Sequence, residues 1–129
     1  MHEFSIAEEL LKATLAVAET HGQRQVEQIR VRIGRLRQVV PDALTFAFDA
    51  LAKGTLAEGA VLVWEEVPTR VRCRQCGTVF QPEEDWFWSC PSCGAAGGEV
   101  LEGEELILES VTLREQTGLS ASRGWRGIP

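Results

Sequence analysis

The chain opens on a helical rhythm. Ile6, Leu10, Thr14, Val17 and Ala18 recur at helical spacing, Leu11 and Leu15 widen the stripe, and Ser5-Ile6-Ala7-Glu8 has the form of a capping box. This predicts an amphipathic helix over 6–18 that ends at His21-Gly22, where glycine takes the position after the last turn. Ile29, Val31 and Ile33 then alternate with Gln28, Arg30 and Arg32, the period of a strand with one wet face, and Gly34 ends it. A second helix is predicted from Pro41, with Leu44, Phe46, Phe48 and Leu51 on a face that buries aromatics, and it stops at Lys53-Gly54. Residues 60–67 are β-branched and apolar, and in residues 104–113 Leu106 and Leu108 alternate with Glu105, Ile107 and Glu109, so both stretches read as strands. The simplest topology pairs these two strands as a hairpin whose connection has been replaced by a small module, reached by two crossings of the chain. The expected body is then discontinuous, residues 1–68 and 104–119, with residues 69–103 inserted and residues 120–129 as a tail.

The inserted segment holds all the cysteines of the chain, as two matching knuckles, Cys73-Arg74-Gln75-Cys76-Gly77 and Cys90-Pro91-Ser92-Cys93-Gly94. Each C-x-x-C turn sets two thiolates on one side of a tight loop, and the glycine after each pair relieves the backbone where the turn needs positive φ. The pattern predicts a structural zinc held by Cys73, Cys76, Cys90 and Cys93. Two disulfides or spare buried thiols are the rival readings. Disulfides suit a secreted protein, whereas residues 6–18 read as an amphipathic helix rather than an apolar leader, so a reducing, cytoplasmic setting is expected. Between the knuckles, Trp86, Phe87 and Trp88 are expected to form the small apolar plug on which such a ribbon packs, rather than a stacking platform for bases.

Charge narrows the choice of partner. The 129 residues include 19 acidic against 13 basic side chains, a net charge of −6. In the ribbon, Arg70, Arg72 and Arg74 face Glu83, Glu84, Asp85, Glu99 and Glu102, so the basic surface that phosphate contacts require is missing and no nucleic-acid partner is expected. No apolar stretch approaches the length of a membrane span, so no membrane insertion is expected either. The tail from Ser120, with small residues, two glycines and a terminal proline, reads as disordered, and Trp125 between Arg123 and Arg126 is the one docking anchor it offers.

A second metal chemistry is written at the N-terminus, Met1-His2-Glu3. A histidine in second position lets the Met1 α-amine, the His2 amide and the His2 imidazole bind one ion through fused chelate rings. That planar arrangement suits Ni(II) or Cu(II) and fits poorly with tetrahedral zinc. The plain alternatives are a solvated histidine at position 2 and, for Glu3, an acid placed where a helix macrodipole favours negative charge. His21 reads as a cation at a helix C-terminus rather than a ligand.

Taken in order, these features resemble the HypA/HybF nickel-insertion proteins of [NiFe]-hydrogenase maturation. The resemblance rests on Met1-His2-Glu3 with Ser5, on Gly34-Arg35-Leu36 leading to Val40-Pro41 and Leu44-Phe46-Phe48, and on Gly54-Thr55 followed by Gly59-Ala60. Pro68 before the paired knuckles and Gly103-Glu104-Glu105-Leu106 after them complete it. It implies an α+β fold, two helices packed on a small sheet with an inserted four-cysteine zinc ribbon, and a non-enzymatic metallochaperone that carries Ni(II). It further implies delivery of nickel to the hydrogenase large-subunit precursor together with the GTPase HypB, and leaves a homodimer open. His2 carries over as the essential nickel ligand, with Met1 and Glu3 as backbone or side-chain donors, and the four cysteines as zinc ligands. Some relatives add a ribbon histidine that can reach the nickel; this ribbon has none, which leaves Glu3, water or a partner's side chain as the fourth ligand. The competing class is a zinc-ribbon module for protein or nucleic-acid interaction, whose mark is Lys and Arg clustered near the aromatics. A zinc hydrolase fits least, because four thiolates leave no coordination position for water.

Overall fold

The computed structural model describes residues 2–115 and the backbone of residues 124–126. The fold is α+β, and its contacts divide it into two compact units: residues 1–31, 39–65 and 107–129, and residues 32–38 and 66–106.

In the first unit, helix α1 (His2–Thr20) buries Ile6, Ala7, Leu10, Leu11, Thr14, Val17 and Ala18, the stripe that the spacing predicts. The helix starts earlier than the capping box implies, because residues 2–5 continue it, so Ser5 lies inside the first turns and does not cap it. Its other end closes with the Gln23 N–H donated to Ala18 O at 2.9 Å, while His21 Nδ1 lies 2.8 Å from Val17 O, beside the last carbonyls. Helix α2 (Pro41–Ala52) has proline at its start and buries Leu44, Ala47, Phe48 and Ala52 against the same core. One expectation fails here. Phe48 is 0% exposed but Phe46 is 71% exposed, since two residues along a helix turn a side chain through about 200° and away from its neighbour's face.

The described residues also form seven strands: β1 (Val26–Gly34), β2 (Val61–Val67), β3 (Arg70–Arg72), β4 (Val79–Phe80), β5 (Glu99–Glu102), β6 (Leu106–Leu113) and β7 (Gly124–Arg126). The larger sheet has the order β2-β1-β6-β7. The expected hairpin of residues 60–67 with 104–113 is therefore overturned, because β1 lies between them. The physical reason is burial: β1 hides Val26, Ile29, Val31 and Ile33 and so takes the interior of the sheet, whereas β2 buries only Val67 and tolerates the edge. Gly34 N–H donates to Glu105 O and Arg114 N–H to Gln25 O, so β1 and β6 run antiparallel. Strand β7 pairs antiparallel with β6, Val111 opposite Trp125, within the segment whose composition predicts disorder; the rest of that tail lies outside the described residues.

The second unit carries a three-stranded sheet, β4-β3-β5, and the two knuckles. Residues 32–38, which the sequence assigns to the body, group with this unit. Leu36 N–H donates to Gly103 O at 2.8 Å, Arg37 Nε to Glu104 O at 2.9 Å, and Arg35 Nε pairs with Asp85 Oδ1 at 2.9 Å. Gly34 is required by a close approach: a Cβ there would overlap the Gly103 carbonyl.

The two phenylalanines of α2 separate core from surface. Phe48→Ala is expected to lower unfolding stability by about 3–5 kcal/mol, as truncation of a fully buried aromatic does, and Phe46→Ala to change it by less than about 0.5 kcal/mol. Urea denaturation followed by far-ultraviolet circular dichroism checks this, and equal losses at both positions would contradict the burial assignment.

Candidate metal centres

The two knuckles repeat one bonding scheme. Cys73 N–H donates to Thr78 O and Gly77 N–H to Cys73 O; in the second knuckle Cys90 N–H donates to Ala95 O and Gly94 N–H to Cys90 O. Gln75 N–H points at Cys73 Sγ and Ser92 N–H at Cys90 Sγ, both at 3.4 Å. Gly77 and Gly94 have φ of +80° and +78°, the positive values these turns require. The strands β3, β4 and β5 hold the turns face to face, so that Cys73 Sγ lies 3.6 Å from Cys93 Sγ and Cys76 Sγ 3.6 Å from Cys90 Sγ. All four sulfurs fall within 4.8 Å of one another, and all four cysteines are free thiols rather than disulfides. A tetrahedral ion with metal–sulfur bonds of about 2.3 Å needs sulfur–sulfur edges of about 3.8 Å. The cluster has that size.

Its electrostatics are those of a cation site. The Cys76 N–H lowers the pKa of Cys73, the Thr78 hydroxyl that of Cys76, and the Cys93 N–H that of Cys90, each favouring a thiolate. Cys93 receives the lowering influence of the Ala95 N–H, yet the Cys73 sulfur, burial and the other two sulfurs together push it up to about 12. Three thiols are thus drawn toward their anions while hydrogen bonding among the sulfurs and burial keep the proton on the fourth, and four bare thiolates this close would repel one another. A dication among them removes that repulsion and favours all four as thiolates.

The N-terminal residues lie in the first unit. Met1 falls outside the described residues. His2 begins α1 with its side chain 54% exposed, and its amide is one of the first four helical N–H groups, which have no partner inside the helix. Drawing that amide into a chelate therefore breaks no helical hydrogen bond. Glu3 does something that the sequence does not announce: Val40 N–H donates to its Oε2 at 3.1 Å, and the same oxygen lies 3.6 Å from His2 Nε2. The Val40 N–H, with Glu3's own N–H next, holds this carboxyl below the usual carboxylate range, so the contact persists at neutral pH and is lost only in acid. Val40 caps α2 without a side-chain oxygen, and this unassisted cap ahead of Pro41 was the available signal. The structure thus brings Glu3 to His2 on one side and to the start of α2 on the other.

The aromatic plug is corrected. Trp86 is 77% and Phe87 58% exposed, and only Trp88 is partly covered, its Nε1–H donated to Glu84 O at 3.0 Å. The sulfur cluster, with Val71, Cys73 and Cys90 buried beside it, takes the interior of so short a segment and leaves the rings outside. Among the described residues no helix is long and apolar enough to cross a membrane.

Residues 1–113 match the family described as hydrogenase/urease nickel incorporation, metallochaperone, hypA. A hydrogenase maturation factor HypA from Dehalococcoides mccartyi is 38% identical over 117 residues, covering 91% of this chain and 98% of the relative. That of Geobacter metallireducens is 44% identical over 111 residues, 86% of this chain and 97% of the relative. The solution structure of the Ni metallochaperone HypA from Helicobacter pylori shares the fold, with a TM-score of 0.64 at 21% identity over 88% of this chain and 98% of that one. With its match running from the first residue through β6, the chain belongs to the HypA family of hydrogenase maturation factors.

Proposed function

We propose that the chain captures Ni(II) at its N-terminus and delivers it to the [NiFe]-hydrogenase large-subunit precursor in the cytoplasm, in concert with the GTPase HypB. In this reading Cys73, Cys76, Cys90 and Cys93 hold a structural zinc, and Met1, His2 and Glu3 hold the nickel. One observation supports it most: the two donor sets are opposite in kind. Four sulfurs converge into a closed cluster, whereas His2 is exposed at a helix start, where its amide has no partner inside the helix.

Each set suits its task. A closed tetrahedron of thiolates leaves no position for an incoming ligand and keeps its ion. An exposed terminus offers the Met1 amine, the His2 amide and the His2 imidazole, which can be replaced one at a time by a partner's donors, with Glu3 completing the set through its backbone or its carboxylate. Intrinsic affinity does not select nickel, because copper binds the same nitrogens more tightly. Selection then rests on metal supply and on docking of the partner. The thiols need a reducing compartment, which argues for the cytoplasm.

Zinc should remain at about one ion per chain through purification without chelators. Cys73→Ala or Cys93→Ala should lose it and unfold residues 66–106 while sparing the helical signal of α1 and α2, since metal binding is folding free energy in so small a unit. Metal analysis with circular dichroism decides, and a wild-type chain with less than about half an equivalent of zinc would contradict the assignment.

His2→Ala should abolish specific Ni(II) binding in tag-free protein while zinc content and circular dichroism stay unchanged, because two of the chelating nitrogens belong to that residue. Calorimetric affinity within about threefold of wild type, about 0.6 kcal/mol, would rule out the terminal site.

Nickel affinity should fall steeply as the solution is acidified from about pH 7.5 to about 6, since reference amines and imidazoles take up protons near 7.7–8.0 and 6.5. The sign follows from competition: each ligating nitrogen must give up a proton, so proton uptake opposes binding. Parallel titrations over this range, with zinc followed by a colorimetric chelator, should show nickel released and zinc retained. A flat nickel affinity would exclude the amine and imidazole as principal donors.

A further inference from the structure

Outside both metal centres, the second unit has a groove of about 400 Å³ between the end of β4 and the second knuckle. Phe80, Pro82, Trp88 and Pro91 line it, together with Glu83 and Glu84. Phe87 also contributes, and with its neighbour Trp86 it is among the most exposed large apolar residues described. The indole of Trp88 is fixed by its bond to Glu84 O, four residues back, so the groove carries a held ring rather than a floppy one.

The charges around it are unequally satisfied. Arg70 pairs with Glu102, Arg72 with Glu99, and Arg35 with Asp85, so three of this unit's cations are already engaged. Glu83 and Glu84 have no cationic partner among the described residues. Two uncompensated carboxylates therefore stand beside exposed aromatic and proline rings. An anionic ligand would be repelled, which disfavours nucleic acid, an acidic peptide or an anionic lipid surface.

We propose that this groove docks an extended peptide segment of a partner protein that carries arginine or lysine next to proline or an aliphatic residue. A guanidinium can stack on an indole face while donating to a carboxylate, and proline and aliphatic side chains pack against aromatic and proline rings. Grooves lined by aromatics recognise extended, proline-bearing segments because such segments lose little conformational freedom on binding. The proposal goes beyond the nickel reading and does not rest on it, since every residue involved lies in the ribbon.

The test pans a random heptapeptide library against the immobilised full-length, zinc-loaded chain and then measures the selected peptides by fluorescence anisotropy. The expected peptides carry Arg or Lys beside Pro or an aliphatic residue, bind more weakly as salt rises, and lose about tenfold in affinity on Glu83→Gln/Glu84→Gln. Amide and indole shift mapping on wild-type protein should move Phe87 and the Trp88 Nε1–H, which keeps the test independent of how the variant folds. His2→Ala should leave peptide binding unchanged, which separates a failure here from a failure of the nickel site. The proposal is overturned if no peptides are enriched, if the enriched peptides are acidic or neutral, or if basic peptides bind the double variant equally. It is equally overturned if size-exclusion chromatography shows a dimer that Phe87→Ser dissolves, since a second copy would then fill the groove.

Discussion

Four sulfur atoms within 4.8 Å of one another form an arrangement that a protein cannot hold as four thiolates without a cation among them. The knuckle backbone makes the conflict explicit, since its N–H groups and the Thr78 hydroxyl draw three thiols toward their anions and leave Cys93 protonated well above neutral pH. The ribbon has little else to hold it. Val71, Cys73, Pro82 and Cys90 are its buried residues between β3 and β5, at roughly 1.5–3 kcal/mol for a fully buried aliphatic side chain. A structural zinc contributes on the order of 10–16 kcal/mol in small domains. In the proposed zinc reading the metal term dominates, and the exposed rings of Trp86 and Phe87 fit it, because a segment folded by a metal does not need its aromatics inside.

The proposed N-terminal nickel site obeys a different constraint. It uses the one place in a helix where backbone N–H groups have no partners, so that a metal can take the His2 amide without dismantling α1. Glu3 bonds from the first turn of α1 to the start of α2, which limits how far the histidine beside it can wander while leaving its ring exposed. A transfer site needs both properties. It must be ordered enough to capture an ion and open enough for another protein to take that ion away.

Much of this was legible in the sequence, for reasons that can be named. The α1 stripe, the proline start of α2, the β1 alternation and the C-x-x-C spacing are local patterns, and local patterns survive without knowledge of the fold. What failed was set by distant contacts or by competition between equivalent choices. The hairpin of β2 with β6 was the shortest connection, but sheet order follows burial, and β1 hides Val26, Ile29, Val31 and Ile33 where β2 hides only Val67. Phe46 and Phe48 look alike in a list of apolar positions, yet only one can face inward at that spacing. Ser5-Ile6-Ala7-Glu8 satisfied the capping-box pattern while residues 2–5 extended the helix past it. The contacts Glu3 to Val40 and Arg35 to Asp85 join residues far apart in the chain, and nothing in either neighbourhood foretells the partner.

The central claim is that two metals occupy two chemically separate donor sets, sulfur for the resident ion and nitrogen or oxygen for the cargo. X-ray absorption at the zinc and nickel edges of one tag-free sample loaded with both ions tests it most directly. The account predicts a zinc shell of four sulfurs at about 2.3 Å and a nickel shell of nitrogen and oxygen alone, with the outer-shell scattering of an imidazole. Sulfur in the nickel shell, or zinc bound by nitrogen and oxygen in place of the cysteines, would contradict it.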